Sequence, residues 1–599
     1  MIRIRLFAIC LTLCGLLYVN PTEAQKIPFG KKKNDDTTQN DDPSGEESKL
    51  GGFAGKMKAK AKNFNVMKSI GKLAGNLLTT TTADLSTLSM QVIYMQNLYP
   101  SEAETIETEY FGFWTPGMDM TGVMFLKKEG VGMSKIDGSV KIDGNEIEHV
   151  ANGFYGGLVD ENSGAHTVDI STVNGDVANI KAEPIEPIEI ISINGVPRGE
   201  VVDINMDEDL VLELKHPEGG TADFYVSILG KVMGIKGFNE IGFFKSVDKI
   251  TIPKEAFRHT GTPAYKFEQG ANYLLVQRTK ETVVDLPDVG ATQVISGAMD
   301  WSPITLTGDQ KTFLGIGVDD SNAIYRAETE DEFKVDVSKP NAFWGPPLSY
   351  PKKLAMASFV VRATGLDQKQ VETSSSSYTS GNYKYTTTTT TTTTSTFPKV
   401  PDAYWDALVE EFYSKFEAAL LSELNVEIVP IEQTMKARQY ANLFSTPDTV
   451  STEYVVKPYK DCKLLLPTTV GEMWSTRSST FPNDNPQVKL LKELGVDGII
   501  SVTVDCSMDF ETQALSPRFS FKIDGPTNGW KVGPTNYASG LITGPGQGVD
   551  EAGKSASDVV DQLNKIMNVD RQIELFKTGI SELKKSEQGK GYEKIWSLK

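Results

Sequence analysis

The chain has 599 residues, with 60 Lys plus Arg against 79 Asp plus Glu, a net charge of −19 and an isoelectric point near 4.9. That balance argues against a nucleic-acid binder, whose electrostatic footprint is basic. At roughly 150 residues per domain, the length allows about four domains.

The N-terminus reads "MIRIRLFAICLTLCGLLYVNPTEAQ". Arg3 and Arg5 precede an apolar run from Leu6 to Tyr18, and Thr22 and Ala24 fit a small-residue cleavage site. This pattern predicts a secretory signal peptide over 1–24, with an apolar run too short to span a bilayer. Ile9 and Leu13 stand before Cys10 and Cys14, where a lipidation signal needs a small residue. After cleavage only Cys462 and Cys506 remain. Export to an oxidising compartment leaves two readings open for them, one disulfide or two separate buried thiols.

Residues 25–50 are polar and charged with almost no apolar side chains, which predicts a disordered leader. Residues 51–83 open on "GGFAGKMKAKAKNFNVMKSIGKLAGNLL", which has six lysines and no acid. Apolar residues there recur at helical spacing, so a basic amphipathic helix is expected. Lys56, Lys58, Lys60, Lys62, Phe64, Lys68 and Lys72 are its candidate contact residues. Either an anionic membrane surface or an acidic neighbour in the same chain would suit them.

From 84 to 300 short alternating runs are broken by Gly, Asp, Asn and Pro. Asp143-Gly144 and Asn174-Gly175 are hairpin signals. The rhythm predicts two antiparallel β-sandwich-like domains, 84–182 and 183–300, the second of immunoglobulin-like length but without a Cys…Trp…Cys signature. Residues 301–350 read as a β-rich connector. The acids of "DINMDEDL" lack the glycine and the final glutamate of a calcium loop and read as a solvated turn.

After Pro351 strands and helices alternate. "KKLAMASFVV" is an apolar strand, "PDAYWDALVEEFYSKFEAALLSELN" an amphipathic helix, "VEIVPI" a strand and "EQTMKARQYANLF" a second helix. "NPQVKLLKELG" has helix start and stop signals and feeds the long strand "DGIISVTVDCSMDF". There Ser501, Thr503, Asp505, Ser507 and Asp509 are expected on a solvated face, with "PRFSFKIDG" as antiparallel neighbour. The fold class is thus multidomain α+β: two N-terminal β-sandwich-like domains, then an α/β domain over 351–599 with a mixed sheet and helices.

The pieces "KKLAMASFVV", "YWDALVEEFYSKFEAALLSEL", "NVEIVPIEQTMKARQYA" and "LKELGVDGIISVTVDC" follow an order that resembles the periplasmic α/β domain of the curli-secretion channel (CsgG-like) family and TolB N-terminal-like domains. The resemblance implies an envelope-associated, oligomerising, non-enzymatic domain. Channel-forming members carry a lipidated cysteine and membrane hairpins. Neither pattern is present here, so a pore is not implied.

Inside this domain lies an insertion, Val371 to Phe397, with nine consecutive threonines, Thr386 to Thr394. "VETSSSSYT", "SGN" and "YKYTTTTTTTTT" read as two polar strands around a Gly-Asn turn, since threonine is β-branched. Tyr383, Tyr385, Thr386, Thr390 and Thr394 are candidate contact residues. A disordered or glycan-bearing loop is the other reading of the same tract.

"GVDEAGKS" (548–555) matches the phosphate-loop pattern in letters. Two acids inside the anion nest and the short stretch after it argue for a Gly-rich lead into a helix. His149, His166, His216 and His259 show no metal spacing. No cofactor, metal or catalytic site is expected, and 79 acids make any carboxylate pair uninformative.

The expected role is a non-enzymatic exported envelope scaffold, or an assembly or secretion component. It would sit in the periplasm or at the outer membrane rather than on the cell surface. Its partners would be copies of itself or other envelope proteins, with peripheral membrane contact and no nucleic acid. The alternative is an exported adhesin or glycan-binding protein, in which Trp114, Trp301 or Trp344 would stack on sugar.

Overall fold

The structure, a computed structural model, describes residues 79–97, 118–127, 133–151, 153–160, 164–215, 224–232, 235–245, 247–258, 270–308, 322–364, 367–380, 383–398, 400–443, 454–465, 486–509, 512–527, 534–550 and 555–599. It is multidomain α+β. Two compact units divide it, one reaching to Asp319 and the other formed by 255–261 and 320–599. The segments expected as signal peptide and leader, and the lysine-rich segment through Leu78, lie outside the described residues. Among the described residues no helix is long and apolar enough to cross a membrane.

The first unit is built on one 11-stranded sheet. Its main path runs 79–82, 133–136, 118–127, 88–97, 290–307, 270–286, 224–232, 235–244. Two four-stranded sheets accompany it, one from 138–182 and one from 189–252. The first of these lays Val140, Ile142, Val168, Ile170 and Ile180 in a common core with Met90, Val92, Tyr94, Val123 and Phe125 of the large sheet. Both expected hairpin turns form, with Asp143, Gly144 and Gly175 at positive φ.

Three sequence expectations need correction here. The stretches 84–182 and 183–300 are not separate domains, because their strands share the large sheet. The seam is Gly290–Thr307, which pairs in parallel with Leu88–Asn97 on one side and antiparallel with Gly270–Leu286 on the other. Alternation and turn signals mark strands, but a parallel pairing about 200 residues distant leaves no local trace. Second, there is no separate connector over 301–350. Residues 301–307 finish the seam strand, while Ala323–Glu328 and Lys334–Lys339 belong to the second unit's sheet. Third, Thr79–Thr82, inside the span assigned to the basic helix, is a strand pairing in parallel with Met133–Ile136. Four β-branched residues in a row favour it.

At the seam, Asp300 is fully buried and anchors the second small sheet. It accepts from Arg198 Nε at 2.8 Å and Nη2 at 2.5 Å, from Ile190 N at 2.7 Å and from Trp301 N at 2.8 Å. Burial outweighs these bonds and pushes its carboxyl up to about 6.

In the second unit strands are labelled β1 (Ala323–Glu328), β2 (Lys334–Lys339), β3 (Lys353–Thr364), β4 (Asp367–Ser380), β5 (Tyr383–Thr396), β6 (Glu427–Val429), β7 (Tyr454–Pro458), β8 (Gly498–Met508), β9 (Leu515–Thr527) and β10 (Pro534–Thr543). Helices are α1 (Asp402–Leu424), α2 (Ile431–Met435), α3 (Pro486–Leu494), α4 (Ala556–Met567), α5 (Val569–Gly589) and α6 (Tyr592–Trp596). The sheet order is β1-β2-β10-β9-β8-β3-β6, with β7 also on β3. β3 is parallel to β8 and β6, and the other pairings are antiparallel.

One face packs on α1 and α5 through aromatic rings. Phe359 meets Phe412 and Phe416, and Phe519 and Phe521 meet Phe576. On the other face Ala355, Ala357 and Ile499 pack with Tyr440, Leu490 and Leu491. Asn425 ends α1 in the left-handed region, as its sequence position suggests. The expected helix over 432–444 breaks into α2 and a 3₁₀ turn, Arg438–Asn442.

A buried lock ties α5 to the segment after β2. Lys339 Nζ donates to Glu587 Oε2 at 2.5 Å and to Pro346 O at 2.6 Å, and Leu348 N donates to Glu587 Oε1 at 3.1 Å.

Removing Arg198 leaves a buried carboxylate unpaired, so Arg198→Met is expected to destabilise the first unit by about 3–5 kcal/mol at pH 7. The raised Asp300 value means the folded state holds its proton between the ordinary carboxylate range and about pH 6. Its contribution is therefore full at low pH and falls as pH rises through that window. Urea unfolding of Arg198→Met should show a smaller loss at pH 5 than at pH 7. An equal loss at both would contradict this assignment.

Candidate contact site: the Ser/Thr hairpin and its root

The polar insertion forms an antiparallel hairpin. β4 and β5 pair without a bulge from Asp367↔Thr396 to Ser380↔Tyr383, which leaves two residues, Gly381 and Asn382, between the strands. Ser374–Ser377 lie opposite Thr386–Thr389 in register. No described strand pairs with either outer edge. Ser375, Thr386, Thr388, Thr389 and Thr390 are exposed. At about 3.4 Å per residue the hairpin is roughly 45 Å long. A lone two-stranded hairpin is marginal in water, so its order depends on its root and on what its edges meet.

The root is held by side-chain contacts on both legs. On the incoming leg, Arg362 near the end of β3 lies opposite Asp505 of β8. Its Nε donates to Oδ1 at 2.6 Å and its Nη2 to Oδ2 at 2.8 Å, a planar fork that fixes direction as well as distance. On the outgoing leg Phe397 and Pro398 are buried, and the Phe397 ring lies 6.0 Å from Trp405 at the start of α1. Below it Tyr413 of α1 stacks on Tyr459 at 3.8 Å and 9°.

Of the sequence-derived candidates, Tyr383, Tyr385, Thr386, Thr390 and Thr394 all fall on β5, opposite Ser380, Tyr378, Ser377, Thr373 and Lys369. Lys56, Lys58, Lys60, Lys62, Phe64, Lys68 and Lys72 lie outside the described residues.

Cys462 and Cys506 are both free and buried, so the disulfide reading is corrected in favour of two separate thiols. The Cys462 thiol donates to Phe359 O at 3.4 Å and accepts from Phe359 N at 3.3 Å. Burial pushes Cys462 up to about 11 and Cys506 up to about 12, so both stay protonated and unreactive.

Several of the remaining motifs have structural uses, while His216 and His259 lie outside the described residues. Ser555 of "GVDEAGKS" caps α4 in a capping box with Asp558. His166 is fully buried, with Nδ1 2.8 Å from Asp143. Trp301 is 1% exposed and belongs to the core, Trp344 is half-buried beside Phe343, and Trp114 is outside the described residues. Among the described residues no cluster of three His, Cys, Asp or Glu could hold a metal.

Sequence reasoning missed the fork. It placed Asp505 on a solvated face, yet Ser501 and Thr503 on that face are 7% and 1% exposed; the same face packs at Ala355, Ala357 and Ile499 against Tyr440, Leu465, Leu490 and Leu491. A signal existed in the arginine that closes the apolar run "LAMASFVVR".

No family model matches the chain, and no curated protein matches it. Among solved structures it is similar to SGBP-B of the Bacteroides ovatus mixed-linkage glucan utilization locus, determined in complex with a mixed-linkage heptasaccharide. The identity is 11%, the match covers 47% of this chain and 75% of that one, and the TM-score is 0.10. A likeness of that size carries no statement about what this chain binds.

Arg362→Ala should cost about 3 kcal/mol by leaving Asp505 half-buried and unpaired. Backbone amides of β4 and β5 should then exchange faster, while those of the seam strand 290–307 do not. In a double-mutant cycle, Arg362→Ala with Asp505→Ala should lose less than the sum of the two single changes. Strict additivity would show that the fork is not coupled.

Proposed function

We propose that this chain is a non-enzymatic exported envelope protein, a scaffold or a component of an assembly or secretion complex, whose contact element is the β4–β5 hairpin. The observation that carries the reading is the hairpin itself. Two 14-residue polar strands with open edges stand on a root fixed by a bidentate ion pair and a buried aromatic plug. Such an edge is a template for adding strands, and proteins with no use for one cover it, shorten it or charge it.

The order of strands and helices in the second unit supports kinship with the CsgG-like and TolB N-terminal-like domains. β3 leads through the β4–β5 insertion to α1 and then β6, and α3 feeds β8 and its antiparallel neighbour β9. That kinship, with the signal-peptide pattern, supports a place in the periplasm or at the outer membrane. The lysine-rich segment 51–78 would add peripheral membrane contact. The alternative, an exported adhesin or glycan binder, loses one of its three candidate tryptophans with Trp301 in the core.

The test replaces Asp367–Thr396 with a short Gly/Ser linker, which keeps Phe397 and the fork. Thermal unfolding should be nearly unchanged. Capture of partners from native envelope, read by mass spectrometry, should fall to background. Retained partner capture with the hairpin gone contradicts the reading, and retention on glycan resin with no protein partner favours the alternative.

A further inference from the structure

The two outer edges of the hairpin are not equivalent. β4 carries Asp367, Lys369 and Glu372, the kind of charge that blunts an edge strand. β5 carries only Lys384, beside the turn, and from Tyr385 to Thr396 no charge at all. In a hairpin closed by two residues, the pair flanking the turn exchanges both backbone bonds and the pattern alternates from there. Ser380↔Tyr383 is that pair, so the even-numbered residues of β5 aim their N–H and C=O at the open edge. Thr386, Thr388, Thr390, Thr392 and Thr394 share that parity. Of the two open edges, the one along β5 is the uncharged one.

Resting on the contact reading above, we propose that two copies of this chain join β5 to β5, antiparallel about a two-fold axis at Thr390, in a four-stranded sheet β4-β5-β5-β4. The nine-threonine run is centred on Thr390, so this register overlaps it completely with itself. Thr386 faces Thr394 of the copy, Thr388 faces Thr392, and Thr390 faces itself and exchanges both backbone bonds. Each single Lys384 falls at the rim opposite Thr396, so no like charges meet. The charged β4 strands become the outer edges of the sheet, where charge stops further addition. A two-fold interface of this kind is self-complementary and closes at two copies. Pairing β5 to β4 of the next copy would instead leave one bare β5 edge and no reason for the charge asymmetry.

Sedimentation velocity over a concentration series tests this on the mature full-length chain. Unaltered protein should dimerise. Thr390→Lys places two lysines opposite each other at the axis and should weaken the dimer about tenfold or more. Ser375→Lys, exposed on β4, should leave it within about twofold. Thr390→Cys should form an intermolecular disulfide under mild oxidation, since directly opposed residues lie within bonding distance. Thr386→Cys, about 27 Å from its copy in this register, should not. The native thiols are buried and silent in this assay.

Equal loss in Thr390→Lys and Ser375→Lys would overturn the two-fold pairing in favour of head-to-tail assembly, with the contact reading intact. A monomer at every concentration would overturn the proposal, and partner capture by the linker variant then decides separately whether the hairpin contacts something else.

Discussion

The second unit depends on a constraint of its own making: a strand pair made mostly of serine and threonine, with one valine and three tyrosines as its larger apolar groups, has little of its own to fold around. Its order is supplied from below. Arg362 and Asp505 lock β3 to β8 near the end of β3, just before the chain leaves the sheet, and Phe397 seats the returning strand against Trp405. Beneath them Phe359, Phe412, Phe416, Phe519 and Phe576 form one continuous aromatic layer between the sheet and α1 and α5. A soft, polar element is thereby presented by a hard base, which is what a contact hairpin requires and what a linker does not.

The first unit follows a different logic. Gly290–Thr307 is buried without a break from Thr292 to Ser302, so residues on both of its faces are covered. It pairs with strands from both halves of the unit, and Asp300 on it holds the second small sheet through Arg198 and Ile190. Two sandwich-like halves share one sheet because one long strand serves both.

Much of this was legible in the residues. Turn chemistry located the Asp143-Gly144 hairpin, helical spacing located α1, and β-branching with a Gly-Asn turn located β4 and β5. What escaped was non-local. The seam's parallel pairing and the Lys339–Glu587 lock join residues far apart in the chain. Period-two patterning says which side chains share a face and is silent on what lies above that face. The same limit left the two cysteines open until their separate burial was seen. At the candidate site the strands were readable, but the fork that fixes them was not, because an arginine and an aspartate 143 residues apart carry no mark of being opposite.

Residue-resolved hydrogen exchange on β5 tests the central claim, that the hairpin is a contact element, most directly. In dilute isolated protein the odd-numbered threonine amides, bonded to β4, should be protected and the even-numbered ones should exchange freely. In the native assembly the account predicts that Thr386, Thr388, Thr390, Thr392 and Thr394 become protected as well. Even-numbered amides that stay as open in the assembly as in the isolated chain would contradict it.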